Sequence, residues 1–461
     1  MERGMVSAGS EPGSPRPTPP LSIGVIGSGI SGLSAAWLLS KGHHVTVFEA
    51  EDRLGGHSNT FVGEIAGKPL AVDTGFIVYN EPTYPNLKAL FAELGVPTVA
   101  TDMSFAISLD HGAYEYAGSD FAGLFAQPTN ILRPRFWSML RDLVRFYREA
   151  PRDLPTMGAI SLDEYLTSNR YGAAFRDDHL YPMAAAIWST PAADVGAYPA
   201  ASFVRFCDNH GLLKLSNRPI WRTVQGGSRA YVEKITAPFR ENIRLGTPVR
   251  RIERNPGGVT LIDASGERHS FDHVVIATHA DTALAMLAEP SPEEARLLGA
   301  FRYAKNQAVL HTDIRLMPRR KAAWASWNYL ANRQAGERNL SVTYWMNRLQ
   351  PLGDVPPVLV TLNPIVEPAP DTVIHLETYW HPQFDLAADA AQKALWSLQG
   401  QQNTWFCGAH FGAGFHEDGL QAGLAVAEDL GGIQRPWRVA NDSTRITRAP
   451  VAVPVKPEPV V

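Results

Sequence analysis

The chain has 461 residues, of which 45% are hydrophobic and 19% charged, and a formal net charge of −4 at pH 7. That length and apolar content can bury large cores in two or more domains, and the slightly acidic balance gives nucleic acid no electrostatic footprint. The two cysteines, Cys207 and Cys407, are too few and too far apart for a disulfide framework and suit a reducing compartment.

Residues 1–20 are rich in Pro, Gly and Ser and lack the apolar core of a signal peptide, so a disordered leader is expected. Residues 23–56 then read IGVIGSGISGLSAAWLLSKGHHVTVFEAEDRLGG. A short apolar strand runs into a Gly-x-Gly-x-x-Gly turn, a helix from about residue 31 to 40, and a second strand at 44–48 that ends in Glu49. That order of parts is a dinucleotide-binding unit. Gly27 permits the tight turn, Gly29 lets the backbone approach a pyrophosphate, and Gly32 lets the helix pack close to the sheet. The pyrophosphate faces the helix N-terminus, whose free N–H groups favour negative charge. Glu49 stands where a carboxylate accepts hydrogen bonds from a ribose diol, which disfavours the 2′-phosphate of NADP.

Further along, residues 73–76 read Asp-Thr-Gly-Phe. From 133 to 148, Phe136, Leu140, Leu143, Val144 and Tyr147 recur at helical spacing, with Arg133, Arg141, Arg145 and Arg148 on the remaining surface. Two readings stay open for this helix: packing on a substrate domain with a solvated face, or contact with an anionic membrane. Residues 221–228 (WRTVQGGS) link back to a second Gly pair, and 248–253 (PVRRIE) form a strand. Residues 272–278 (DHVVIAT) are a continuous apolar run of the kind buried on both faces of a parallel sheet. Alternation at 307–313 and 340–345 suits strands. Residues 404–408 (TWFCG) and 417–423 (EDGLQAG) supply a last strand and helix; Cys407 reads as a buried small hydrophobe. No run reaches the roughly 18 apolar residues that span a bilayer, and the Pro- and Val-rich end at 449–461 reads as disordered.

In this order the segments resemble the large flavoprotein group that contains monoamine oxidases, protoporphyrinogen oxidase and phytoene desaturases, over residues 21 to about 430. The resemblance implies an α/β fold: a Rossmann-like FAD-binding domain of the glutathione-reductase type, amine oxidase subgroup, with an inserted α+β substrate domain. It assigns residues 21–97, 226–287 and 404–432 to the FAD-binding domain and 98–225 and 288–403 to the substrate domain, the first insertion mainly helical, with 433–461 as a C-terminal tail. FAD is then held by Gly27, Gly29, Ile30, Ser31, Gly32 and Glu49, and by the following Ala50, Arg53, Leu54, Gly55 and Gly56. His57 stands where the family usually has arginine, and a neutral imidazole does not replace a permanently charged guanidinium. Asp73, Thr74, Gly75 and Phe76 line the flavin end, Val249 meets the adenine through its backbone, and Gly408, Asp418, Gly419 and Leu420 close the site. No metal is expected.

Flavin chemistry demands little of side chains, because the ring is the electron sink and the protein supplies orientation and exclusion of water. By resemblance to amine oxidases, Lys305 is the candidate to hold a water near flavin N5, against an exposed strand lysine. His311 is read as a satisfied histidine of the fold. Trp324, Trp327, Tyr329, Tyr344, Trp345, Tyr379 and Trp380 either wall an apolar tunnel or fill the core. The segments at 73–80, 83–86, 311–313, 326–329 and 414–419 resemble more closely a bacterial subgroup whose members commonly accompany cyclopropane-fatty-acid-synthase-like methyltransferases. This implies a lipid substrate, with such a methyltransferase as partner. The leading expectation is an FAD-dependent oxidoreductase that takes hydride from an unsaturated or methyl-branched acyl chain, in the cytoplasm, with peripheral contact to the inner membrane under the second reading of the 133–148 helix. The alternatives are amine oxidation and a non-catalytic FAD-bearing partner of the methyltransferase.

Overall fold

The computed structural model describes residues 19–188, 195–332, 340–440 and 442–448. Nearly all of the expected leader, and the end at 449–461, lie outside the described residues. A five-stranded sheet forms the nucleotide half, in the order Ile243–Arg244, His44–Phe48, Ser22–Ile26, His273–Ile276, Thr404–Phe406, and every pairing is parallel. Val25 sits between Val47 and Val275 in register, and all three are fully buried. Their uninterrupted apolar character follows from the sheet being covered on both faces. The helix Ile30–Leu39 is buried along its whole length, and the last helix, His416–Gly431, packs along it. A Cβ added at Gly423 would stand 2.2 Å from the Ser31 carbonyl oxygen, so only glycine allows this approach. A three-stranded antiparallel sheet, Val249–Asn255, Gly258–Asp263 and Arg268–Phe271, brings Leu261 and Phe271 against Gly24 of the first strand.

The two insertions share one seven-stranded sheet. Its order is Val373–Gln383, Arg302–His311, Leu359–Leu362, Leu340–Trp345, Trp327–Ala331, Phe105–Leu109, Tyr114–Ala117. The first insertion is therefore helical only in its middle, between Phe121 and Asn209; before that its strands complete the sheet of the second insertion, with Trp327–Ala331 parallel to Phe105–Leu109. Trp221–Val224 pairs with both Thr98–Thr101 and Tyr79–Asn80, which ties the return segment to the nucleotide half.

The amphipathic helix spans Pro134–Asp153, and its buried face is Phe136, Met139, Asp142, Leu143, Phe146 and Ala150. That face is rotated from the sequence expectation: Val144 is exposed, whereas Met139 and Phe146 are fully buried. The burial of Asp142 explains the miss, because its carboxylate faces inward and accepts the Gly172 N–H at 2.8 Å, a role that hydrophobic periodicity does not register. Among the described residues no helix is long and apolar enough to cross a membrane.

The segment from 433 to 448 is not a free tail. Arg435 is buried and pairs with both oxygens of Glu428 at 2.6 and 2.9 Å. Arg445 pairs with Asp418 at 2.7 Å and donates to the Thr83 carbonyl at 2.8 Å. Ile446 joins the core.

Candidate active site

A cavity of about 670 Å³ runs from the glycine turn at the end of the first strand to the helical part of the first insertion. At the nucleotide end each glycine of the turn has its own physical reason. Gly27 has φ +99°, in the region that favours glycine, and a Cβ there would also meet the Ala277 carbonyl oxygen at 2.9 Å. Gly32 packs so tightly that a Cβ would lie 1.9 Å from the Gly27 carbonyl oxygen, while a Cβ at Gly29 would meet nothing within 4 Å. Gly29 thus faces open space at the N-cap of Ile30–Leu39, where unpaired N–H groups and the helix dipole receive an anion. Glu49 takes the Ser28 N–H at 2.8 Å and the Ser28 hydroxyl at 2.5 Å, and lines the cavity from the end of the second strand. Gly56 closes against Gly29, with its hypothetical Cβ 3.2 Å from the Gly29 Cα.

Histidines crowd the middle. His57, His279, His381, His410 and His416 all line the cavity. Burial holds His416 and His410 down to about 3 and His381 to about 4, and it lowers His57 well below the ordinary histidine range, with His381 adding to the effect. All are neutral at pH 7. The His57 ring lies tilted against Tyr379 at 4.9 Å and against His381 at 5.3 Å, and its Nε2 is buried without a protein partner. His416 lies flat on Phe76, ring centres 3.8 Å apart, and its Nε2 bonds Ser58 Oγ at 2.8 Å and the Tyr231 hydroxyl at 2.9 Å. Asn306 accepts from Asn363 through its carbonyl, which turns its amide to donate to His381 Nδ1 at 3.0 Å. His381 therefore carries its proton on Nε2. Tyr379 bonds Thr74 Oγ1 at 2.7 Å and accepts from Asn59 at 3.1 Å.

The far end is apolar and aromatic. From Phe415 a file of rings leads outward through Phe206 (4.6 Å) to Trp188 (4.7 Å) and His210 (3.9 Å). Met183, Ile187 and Leu212 fill between them. Among the described residues that line it, only Glu49, Glu51 and Arg218 belong to the charged types Asp, Glu, Lys and Arg: two carboxylates at the nucleotide end, one guanidinium at the other.

Of the residues expected from the sequence, Gly27, Gly29, Ile30, Ser31, Glu49, Ala50, Gly56, His57, Thr74, Gly75, Phe76 and Gly408 line the cavity. Others stand one layer back. Arg53 clasps the Gly56 carbonyl at 2.7 Å, and Gly55 donates to the Ser28 carbonyl at 3.1 Å; Leu54 packs on the core. The Asp73 carboxylate turns away, to Ser228, Thr60 and Gln350, and burial raises it to about 6 despite those bonds. Val249 is buried outside the cavity. Asp418 spends its carboxylate on Arg445 and the Phe415 N–H, and Gly419 and Leu420 pack into the fold. From that closing segment Gly414, Phe415 and His416 reach the cavity instead. Lys305 is exposed and outside the cavity lining, so it is not placed to hold a water there. Trp327, Tyr344, Tyr379 and Trp380 line the cavity; Trp324, Tyr329 and Trp345 do not. His311 is satisfied, by Thr361 at 2.7 Å and the Asp313 N–H at 3.1 Å. Sequence reading missed Ala277, Thr278 and His279, which line the site at the carboxyl end of a parallel strand. The rule that ligands bind beyond those strand ends was the available signal.

These residues fit FAD. The open face of Gly29 and the unpaired N–H groups of the helix N-terminus beside it make a cradle for a pyrophosphate, continuous with the aromatic chamber.

Comparison with known proteins gives the same picture. The model of flavin-containing amine oxidoreductases matches residues 30–431. A Mycobacterium tuberculosis protein named as a flavin-containing monoamine oxidase, AofH, is 30% identical over 278 residues, 59% of this chain and 60% of that protein. Polyamine oxidase 4 of Oryza sativa subsp. japonica is 27% identical over 59% of this chain and 54% of its own length. The chain thus spans about 60% or less of the length of these two relatives. Among solved structures, putrescine oxidase bound to putrescine superposes with a TM-score of 0.66 at 16% identity, covering 90% of this chain and 99% of that one. A fatty acid isomerase from P. acnes that produces CLA superposes at 0.61 with 15% identity, covering 88% and 97%. At such identities the likeness is one of fold.

Proposed function

This chain belongs to the flavin-containing amine oxidoreductases, FAD-dependent enzymes, and from that membership we propose that it oxidises an unsaturated or methyl-branched fatty acyl chain. The observation that carries the reading is the charge pattern of the cavity. Its substrate end is walled by Trp188, Phe206, Met183 and Ile187 and holds no carboxylate among the described residues. A chamber walled by apolar and aromatic side chains favours an alkyl chain, at roughly 0.8 kcal/mol per buried methylene, and offers a substrate ammonium no counter-charge.

FAD, when bound, would supply the hydride acceptor. The protein orients the chain: Phe76 and His416, stacked on each other, and Tyr379, fixed by Thr74 and Asn59, form walls that hold one methylene in place. Loss of hydride from one carbon leaves the adjacent C–H strongly acidic. A weak base suffices for that proton, and the neutral His57, with its free Nε2, supplies one; loss of the two hydrogens leaves a new double bond. O₂ or another acceptor takes the electrons onward. The exposed Trp137 and Val144 with Arg141 and Arg148, on the outer face of Pro134–Asp153, suit a peripheral approach to an anionic membrane. A partner methyltransferase that modifies the same chains belongs to this reading.

Amine oxidation is the second reading, favoured by the names of the relatives. Anaerobic titration of the flavin-loaded protein separates the two. Bleaching of the visible flavin band by vesicles of unsaturated or methyl-branched phospholipid, and not by amines, is the expected outcome. Bleaching by amines alone refutes acyl oxidation.

A further inference from the structure

Where the cavity passes under the helix Pro134–Asp153, three side chains form a polar chain in apolar surroundings, Tyr116 and His179 buried and Tyr147 half-buried. Tyr147 bonds His179 Nε2 at 3.1 Å, and His179 Nδ1 bonds the Tyr116 hydroxyl at 2.9 Å. All three line the cavity. The Tyr116 hydroxyl donates to the Asp178 carbonyl at 2.9 Å, so it accepts from His179, whose proton lies on Nδ1. Tyr147 must then donate to Nε2. A one-turn π-type segment, Arg176–Leu180, carries His179; such widened turns are common at functional sites. Arg135 grips the Asp178 carboxylate at 2.6 and 3.0 Å and fixes the turn.

Beside this chain stands Arg218. It is exposed, lines the cavity, and donates its Nε to the Lys214 carbonyl at 2.8 Å. Among the described residues no carboxylate pairs with it. Its charge reaches inward: it opposes the burial that raises Tyr147 and adds to the burial that holds His179 at about 3. Leu215 and Ile220, 61% and 68% exposed, flank it in sequence. Leu212, Met183 and Ile187 line the same cavity.

We propose that Arg218 and Tyr147 form a head-group site for the carboxylate of a free long-chain acid, with the tail running inward along Leu212, Met183, Ile187 and Phe206. This rests on the acyl reading and names the chemical form of the acyl substrate. By turning its O–H from His179 to the anion, Tyr147 exchanges a neutral hydrogen bond for a charge-assisted one, about twice as strong. Before the acid binds, His179 and Tyr116 hold the Tyr147 hydroxyl at the cavity wall, as positioning residues.

Equilibrium dialysis of radiolabelled palmitate against the flavin-loaded protein tests this without turnover, because a saturated acid reads binding alone. Palmitate should bind about tenfold or more tightly than methyl palmitate or hexadecylamine. Arg218→Gln and Tyr147→Phe should each weaken palmitate about tenfold and leave methyl palmitate and flavin content unchanged. Equal binding of acid and ester, or equal weakening of both in the variants, overturns the site. Competition by phosphatidylglycerol vesicles with no binding of free palmitate overturns it too, in favour of a phosphate head group. The acyl-oxidation reading fails separately: its flavin would stay oxidised with every unsaturated lipid while the dialysis result stood.

Discussion

The two ends of the cavity are built by different means. The nucleotide end is mostly backbone: glycines at Gly27, Gly29 and Gly56, a helix N-terminus, and one carboxylate, Glu49, at a strand end. The substrate end is side chains drawn from distant segments, such as Tyr116, His179, Phe206 and Phe415. A backbone site tolerates almost no change because no rotamer can relax it. A side-chain site can be retuned residue by residue, so chains that share the first half can differ in the second.

That contrast breaks most sharply at Gly32. Its Cβ position is occupied by a backbone oxygen, so Gly32→Val should yield no folded, flavin-loaded protein; recovery of yellow, cooperatively melting protein would show that the turn can open. Next in size is the clasp behind the site. Arg445→Met leaves the buried Asp418 carboxylate without its counter-charge, and urea denaturation should show a loss of about 3–5 kcal/mol; a loss under 1 kcal/mol would mean the clasp is slack.

The histidines set an acid limit. His410 and His416 sit near 3 in the fold against an ordinary 6.5. Below pH 6.5 the unfolded chain takes protons that the fold refuses, so their contribution is full above 6.5 and is lost toward pH 3. Each removes about 1.4 kcal/mol per pH unit over that window. Asp73, raised to about 6, acts the other way, gaining stability as pH falls from about 6 to 3.8, but the histidines outnumber it. Denaturation midpoints measured from pH 7.5 down to 4.5 should fall; a flat profile would mean the histidines charge without cost.

Gly29→Ala separates the motif's two duties. The added methyl meets no protein atom and Gly29 has φ −68°, so melting of the flavin-free protein should be unchanged while FAD affinity drops about tenfold or more, as expected when a methyl blocks the approach of a pyrophosphate. Equal loss of stability would place Gly29 with Gly32. The smallest effect belongs to Lys305→Met. An exposed lysine outside the cavity should leave the rate of flavin reduction within about twofold; a large loss would return it to the site.

How far each end was legible follows from these causes. The strand His44–Phe48 and the helix after the glycine turn matched their expected spans because local pattern and tertiary demand agree there. Leu340–Trp345 was legible for the same reason. The face of Pro134–Asp153 was not, because Asp142 is buried by a partner 30 residues away. Nor was the fate of Asp418: beside a Gly-Leu it reads as a cofactor contact, yet Arg445 reaches back to take it.

The sequence by itself determined the strand, glycine turn and helix of a dinucleotide-binding unit, the carboxylate at the end of its second strand, and the order of the family's segments. Those features are local, set by glycine φ angles and strand period. Only the tertiary structure decided which aromatics face the chamber, that five histidines meet and stay neutral there, and that Lys305 points to water. Each depends on what distant segments bring to the same spot and on how completely they exclude solvent, and neither is encoded at any one position.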